Sequence, residues 1–344
     1  MSVRRSRLIN EPSRIVGEML EGYVAAHRDV IRLDERRHVV RATPKDHGKV
    51  ALVIGNGSGH EPAMIGLVGF GLFDLNVPGD VFAAPGPAKL SAGILAADRG
   101  AGVLLCVSHH SGDLINAEMA LEAARSEGAN VELVVLYDDV SSAPKGREPE
   151  RRGGAGLFFV WKIVGALAET GASLTECREM AERIRDNTRT LSAAFGTVAH
   201  PVSGELLADI DQDEMVVGVG VHGDAGSPLG TNVTADGVVA RMLPRLLEDG
   251  EFLAGDRVCV LVNNSGALTI MELSILYRAV DRILAERNIV VHRVWMGSYA
   301  TTQDLAGFAL ALCRMDEETS RLYDQPALGA GLVMMASGRQ EARP

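Results

Sequence analysis

The sequence predicts an α/β fold of two α/β domains, each a mostly parallel or mixed sheet flanked by helices. Short apolar runs at 50–54, 102–107, 131–136, 257–262 and 289–296 alternate with segments of helical periodicity, the rhythm of β/α units. A chain of 344 residues is too long for one ordinary core and long enough for two. Hydrophobic content of 47% against 23% charged residues is the balance of a packed, water-facing chain rather than a disordered one.

Taken in order, residues 13–30 repeat apolar side chains at Ile15, Met19, Tyr23 and at Val16, Leu20, Val24, one stripe on a helix face. Residues 32–49 are charged and contain proline, a connector or edge strand. Residues 50–54 form a buried strand, after which Gly55, Gly57 and Gly59 release the backbone into a tight loop. His60, Glu61 and Pro62 follow, with Pro62 suited to open a helix. A histidine therefore sits at the carboxyl end of a strand, where open α/β sheets bind ligands. The spacing Gly-x-Gly-x-Gly departs from the nucleotide fingerprint, and no Gly-Lys-Ser/Thr follows. Two readings of the loop stand: amides that cradle something small and oxygen-rich, or glycines that only let strand and helix pack closely.

Residues 77–88 carry prolines, glycines, Asp80 and Phe82, and predict a long turn region without regular structure. Residues 89–99 read as a helix and 102–107 as a second strand. That strand leads into Ser108, His109, His110, Ser111, Gly112 and Asp113, just before an alanine-rich helix. Asp113 is either a cap near the helix start or, beside His60 on the same sheet edge, a general-base candidate. A third strand, 131–136, ends at Tyr137, Asp138 and Asp139. Residues 141–156 are strongly polar and predict an exposed loop. Helices at 161–169 and 175–191 close the first domain, residues 1–195.

The second domain, residues 196–344, restarts with a strand at 215–221 that runs into His222, Gly223, Asp224, Ala225 and Gly226. His222 is either a satisfied core histidine or a ring left open to a ligand by its small neighbours, and the second reading is favoured. A helix at 238–247 and a strand at 257–262 lead to Asn263 and Asn264, which bind ligand or hold a turn. Residues 273–286 form an amphipathic helix, 289–296 a strand, 301–312 the approach to and body of an apolar helix, and 332–335 a last strand. The tail from Ala336 reads as disordered.

Net charge of -11 and a pI near 5.3 argue against nucleic acid as a partner. Cys106, Cys177, Cys259 and Cys313 have neither zinc nor redox spacing, and Cys106 and Cys259 read as small buried hydrophobes. No metal site is expected; a cluster of His109, His110 and His60 is the weak exception. The amino end has arginines with no apolar run behind them, and no run approaches a membrane span, so a cytoplasmic protein is expected.

With GNGSGHEPA, PGDVFAAP, SGDLIN, NTRT, GVHGDAG and VNNSGALTIMEL in order along nearly the whole chain, the sequence resembles the ketose-binding subunit of the dihydroxyacetone (glycerone) kinase family. The resemblance implies a kinase active only with a partner. His222 would add to the C2 carbonyl of a short ketose and hold it as a hemiaminal, which excludes polyols lacking the ketone. It assigns sugar contacts to Gly57 and Ser58, with Ser108 beside them, a hydroxyl-polarising role to His60, and proton abstraction from the terminal hydroxyl to Asp113. This chain would bind no cofactor; ATP or ADP with magnesium is expected on a separate nucleotide-binding subunit, or phosphate is relayed from a phosphotransferase-system protein. A homodimer is expected as well.

The family pattern Lys-Asn-Tyr-Thr-Gly-Asp is replaced here by Ser108 to Asp113, with two histidines and no lysine. That departure leaves room for erythrulose or another four- or five-carbon ketose in place of dihydroxyacetone. Asp224, Ala225 and Asn56 are milder departures. The rival reading from another class is a non-catalytic ketose sensor that co-regulates transcription.

Overall fold

A computed structural model describes residues 7–335 except 46, 197, 209, 211–213, 221, 224 and 225. The Asp224 and Ala225 departures and the tail from Ala336 lie outside the described residues. After helix α1 (Ile15–Ala26), strands β1 (Ile31–Leu33) and β2 (Val39–Arg41) pair antiparallel at a sheet edge, as their composition predicts. Then come β3 (Ala51–Ser58), the short β4 (Gly69–Phe70), β5 (Leu75–Val81), α2 (Pro87–Ala97), β6 (Val103–Ser108), α3 (Ser111–Ser126) and β7 (Val131–Leu136). The six-stranded order is β1-β2-β5-β3-β6-β7. Strands β5, β3, β6 and β7 run parallel, so their carboxyl ends share one edge.

Helices α4 (Leu157–Glu169) and α5 (Leu174–Asp186) carry the chain to β8 (Thr188–Phe195), which already belongs to the second sheet. A ribbon of β9 (Val198–Ala199) and β10 (Leu206–Ala208) precedes β11 (Glu214–Val217) and β12 (Ser227–Thr231). Helix α6 (Ala235–Asp249), β13 (Arg257–Asn264), α7 (Ile270–Glu286), β14 (Val290–Gly297) and β15 (Gly307–Met315) complete it. The second order is β12-β11-β8-β15-β13-β14, parallel only between β13 and β14. Helix α8 (Glu317–Tyr323) and the hairpin β16 (Ala327–Gly329) and β17 (Leu332–Met334) return to the first half, where β16 pairs with β4.

Helix α4 shows how the halves join. It is apolar apart from Lys162, which is buried and donates to the Leu322 carbonyl at 3.4 Å; Leu157 to Ala166 are all buried, and a helix with no solvent-facing polar side belongs inside a protein. It lies in a core that takes Leu52 and Ile54 from the first sheet and Leu261 and Ala311 from the second. Helices α2 and α3 cover the opposite face of the first sheet, and α6 and α7 that of the second. All four cysteines are buried and free.

Several local expectations are corrected. Residues 77–81 are strand despite Pro78 and Gly79, because β2 pairs with β5 only at Leu75 and Asn76 and no partner on that side needs the missing Pro78 N–H. The helix expected over 175–191 stops at Asp186, where Asn187 caps it, and Thr188 and Thr190 suit the strand that follows. The apolar helix expected through Leu312 is strand β15, buried between β8 and β13; a continuous apolar run does not separate a core strand from a core helix. Pro62 opens no α-helix: the chain there is a turn whose His60 carbonyl accepts from the Ala63 and Thr301 N–H groups and whose Glu61 carbonyl accepts from the Thr301 hydroxyl. Nor is 141–156 merely an exposed loop: Arg151 is buried, with its two terminal guanidinium nitrogens on Asp249 of α6 at 2.8 and 2.6 Å.

Candidate functional site

Three neighbouring strands of the first sheet, β5, β3 and β6, end side by side, and each is followed by a residue of the candidate site: Phe82, His60 and the run from Ser108 to Asp113. The second sheet supplies His222, in the turn between β11 and β12. The two histidines that the sequence placed in different domains meet, with ring centroids 5.2 Å apart. Phe82 lies 5.0 Å from His60 and 5.9 Å from His222. His110 stands edge-on to His222 at 4.8 Å.

His60 is held in one tautomer. Its Nδ1 lies 2.8 Å from the Thr301 carbonyl, which can only accept, so the proton is on Nδ1 and Nε2 carries the lone pair. Burial, then the neighbouring His222, push its pKa down to about 3, so the ring stays neutral near pH 7. The loop before it is drawn tight by Glu61, whose two carboxylate oxygens accept from the Gly59 N–H at 2.9 and 3.1 Å. Gln303 donates to the Gly59 carbonyl at 3.0 Å. Thr301 and Gln303 come from the segment after β14, so the second half straps the glycine loop of the first.

The glycines are there for close approach. A Cβ on Gly57 would lie 2.7 Å from the Ala83 nitrogen, and one on Gly59, where φ is +103°, would lie 2.8 Å from the Phe82 ring. Ser58 is buried and its hydroxyl donates to the Gly79 carbonyl at 2.8 Å, so its hydroxyl proton is committed to joining β3 to β5.

Asp113 occupies the first turn of α3, one turn along from His110, the residue before the helix. Its Oδ1 is buried and makes no hydrogen bond. Burial raises its pKa from 3.8 to about 7, which poises the carboxyl between acid and base near neutrality. The loop carrying Phe82 also meets α3, through Asn116 donating to the Pro85 carbonyl at 3.1 Å. His109 turns the other way, its Nδ1 2.7 Å from the Arg151 carbonyl. Ser108 lies against Gly153, where an added Cβ would be 2.1 Å from its Oγ. Among the described residues no group of three or more His, Cys, Asp or Glu is arranged to hold a metal ion.

Asn263 and Asn264 hold turns. The Asn263 Oδ1 accepts from the N–H groups of Tyr299 and Ala300 at 3.0 and 2.9 Å, and Asn264 brackets Gly266 and Leu268. Between the sheets, beside the His222 turn, a cavity of about 30 Å³ is lined by Ser192, Val219, Gly220 and Thr302. That holds a water and not a sugar; a roomier cavity of about 390 Å³ borders the glycine loop at Ser58, Gly59, Glu61, Val81 and Gln303. Sequence reasoning missed Thr301, Gln303 and Phe82 as parts of this site. Phe82 alone had a local signal, as a large aromatic in a glycine- and proline-rich stretch.

Fold and site together define an α/β protein whose candidate small-molecule site gathers neutral imidazole and a carboxyl with a buried oxygen at the edge where parallel strands end. The chain belongs to the Dak1 family, whose domain matches residues 21–330. It is 36% identical over 312 residues to the dihydroxyacetone-binding subunit DhaK of a PTS-dependent dihydroxyacetone kinase of Listeria innocua, covering 91% of this chain and 95% of that one. It is 37% identical over 324 residues to the L-erythrulose kinase of Pectobacterium atrosepticum, covering 93% of this chain but 55% of the kinase, about half its length. Among solved structures, the dihydroxyacetone kinase of C. freundii superposes with a TM-score of 0.86 at 29% identity, covering 96% of this chain and 60% of that one. The dihydroxyacetone kinase operon co-activator DhaQ superposes with a TM-score of 0.87 at 27% identity, covering 94% of this chain and 99% of that one. Among the described residues no helix is long and apolar enough to cross a membrane.

Proposed function

We propose that this chain is the ketose-binding subunit of a dihydroxyacetone-type kinase, holding its substrate on His222 for phosphorylation by a nucleotide-bearing partner. The observation that carries the reading is the convergence of His222 and His60, 5.2 Å apart, beside the turn of α3 that bears Asp113. Neutral imidazole adds through a ring nitrogen to the C2 carbonyl. The nitrogen–carbon bond forms, the carbonyl π pair moves to oxygen, that oxygen takes a proton and the imidazole gives one up. His60, with Nε2 free of its own proton, accepts from a ketose hydroxyl and orients it. Asp113 takes the proton of the terminal hydroxyl as that oxygen attacks phosphorus, and alignment does the rest.

ATP or ADP with magnesium is carried by a separate subunit, with phosphate reaching it directly or by relay from a phosphotransferase-system protein. The assembly is cytoplasmic and the chain a homodimer. The ketose is dihydroxyacetone or a four-carbon ketose such as erythrulose; a dihydroxyacetone-binding subunit and an L-erythrulose kinase are 36% and 37% identical to this chain.

The test is incubation with a candidate nucleotide-bearing subunit and a panel of three- to five-carbon ketoses, scored by phosphate ester formed. Ester from one ketose, lost in His222→Ala, supports the reading; adduct without ester for every donor tried removes the kinase. A ketose-sensing co-regulator is the second reading, favoured by the likeness to the co-activator DhaQ. The buried, unpaired Asp113 Oδ1 speaks for catalysis, since a sensor needs the nucleophile and has no use for a base.

A further inference from the structure

Phe82 is the one aromatic residue among those described that is not glycine-like in sequence yet has a left-handed backbone, with φ of 54°. Bulky side chains rarely adopt that conformation, and where they do the surrounding structure imposes it for a reason. Two hydrogen bonds impose it here: the Phe82 N–H donates to the Ser58 carbonyl at 2.8 Å and the Ala83 N–H to the Asp80 carbonyl at 3.1 Å. Gly57 and Gly59 are bare where this loop crosses them.

The apolar core does not supply the reason. Phe82 belongs to none of the hydrophobic clusters formed by the described residues. Its ring contacts are instead histidines from three segments: His60 at 5.0 Å, His200 of the β9–β10 ribbon at 5.7 Å, and His222 at 5.9 Å, the last two edge-on. His200 is itself fixed, its Nδ1 accepting from the N–H groups of Val202 and Ser203, both at 3.2 Å. The ribbon that carries it touches the nucleophile's turn, since a Cβ on Gly223 would lie 2.5 Å from the Leu207 carbonyl oxygen.

We infer that Phe82 is a positioning residue: its ring is the common wall that sets the planes of the His60 and His222 imidazoles. The role rests on His222 being the nucleophile, and it goes beyond that reading by naming what aims it. An aromatic ring packs edge to face against imidazole with a defined angle, which a branched aliphatic side chain of similar bulk does not enforce. With the backbone in this conformation the ring meets all three histidines at once.

The test uses the full chain with three variants, Phe82→Tyr, Phe82→Leu and Phe82→Gly. Nitrogen-15 spectra of the imidazoles in the free protein report tautomer and surroundings, and dihydroxyacetone labelled with carbon-13 at C2 reports conversion of the ketone to a tetrahedral adduct. Phe82→Tyr keeps both signatures. Phe82→Leu shifts the His60 and His222 resonances and slows adduct formation by about 10²-fold, the effect of misplacing a reacting group by about an ångström. Phe82→Gly does the same while relieving the positive φ, so melting temperature separates loss of aim from loss of fold. Unmoved imidazole resonances in a folded Phe82→Leu protein overturn the inference, whether or not an adduct forms. A wild-type protein that forms no adduct while Phe82→Leu still shifts both rings removes His222 as nucleophile and leaves the wall in place.

Discussion

Replacing Asp113 by asparagine separates two properties that burial gives this carboxyl, its strain in the fold and its use as a base. In the folded chain its pKa is raised from 3.8 to about 7 by desolvation, with Oδ1 buried and making no hydrogen bond. Because the folded value lies above the unfolded one, folding takes up a proton. The linked stability is flat below about pH 4, falls as pH rises from about 4 to about 7, and is level above that. At about 1.4 kcal/mol per unit, the ionised carboxylate costs up to about 4 kcal/mol of stability at alkaline pH, partly offset by its place in the first turn of a helix, worth about 0.5 kcal/mol. Asparagine keeps the shape and removes the charge. Urea titrations are expected to find Asp113→Asn more stable than the parent at about pH 8.5, with the difference shrinking to nothing near about pH 4. In the presence of the partner the variant keeps the ketose adduct and loses phosphorylation, whereas the parent's phosphorylation rate rises with pH through about 7. A stability difference that is the same at both pH values refutes the burial argument, and normal turnover refutes the base.

Other outcomes follow from the same geometry. His222→Ala abolishes the tetrahedral carbon-13 signal of C2-labelled ketose, and a persisting signal moves the nucleophile elsewhere. His60, with its pKa near 3, keeps a protonated Nδ1 and a bare Nε2 in nitrogen-15 spectra down to about pH 5; a titration near the ordinary histidine value contradicts its burial. Gly57→Ala forces a methyl against the Ala83 backbone and costs about 1–3 kcal/mol in chemical denaturation, with weaker ketose binding. Ser58→Ala loses the bond to the Gly79 carbonyl, about 1 kcal/mol, and binds ketose as before; a large loss of binding would give its hydroxyl a direct role at the sugar.

The parallel half of the first sheet was legible because its strands are short apolar runs closed by glycine or polar residues, and 131–136 coincides with β7. The carboxyl ends of parallel strands are where such sheets bind ligands, which is what makes His60 and Asp113 candidates from sequence. Strand β15 was not legible, since an all-buried strand has no alternation to display. Strand β5 was hidden by Pro78, whose missing N–H is harmless only because of where β2 stops. The segment 301–304 carried no signal at all: Thr301 fixes the His60 tautomer through a backbone carbonyl, and any residue has one.

By itself the sequence determined the chemistry available, namely which strand ends carry imidazole and carboxyl and where glycine lets backbone approach, because these follow from local periodicity and residue type. Tertiary structure decided which of those groups meet. Strand pairing and the packing of α4 between the sheets brought His222 to His60 across 162 residues of chain, turned His110 inward and His109 away, and buried Asp113 deeply enough to shift its proton affinity. Distance and desolvation are properties of the packed whole, and no stretch of the chain encodes them alone.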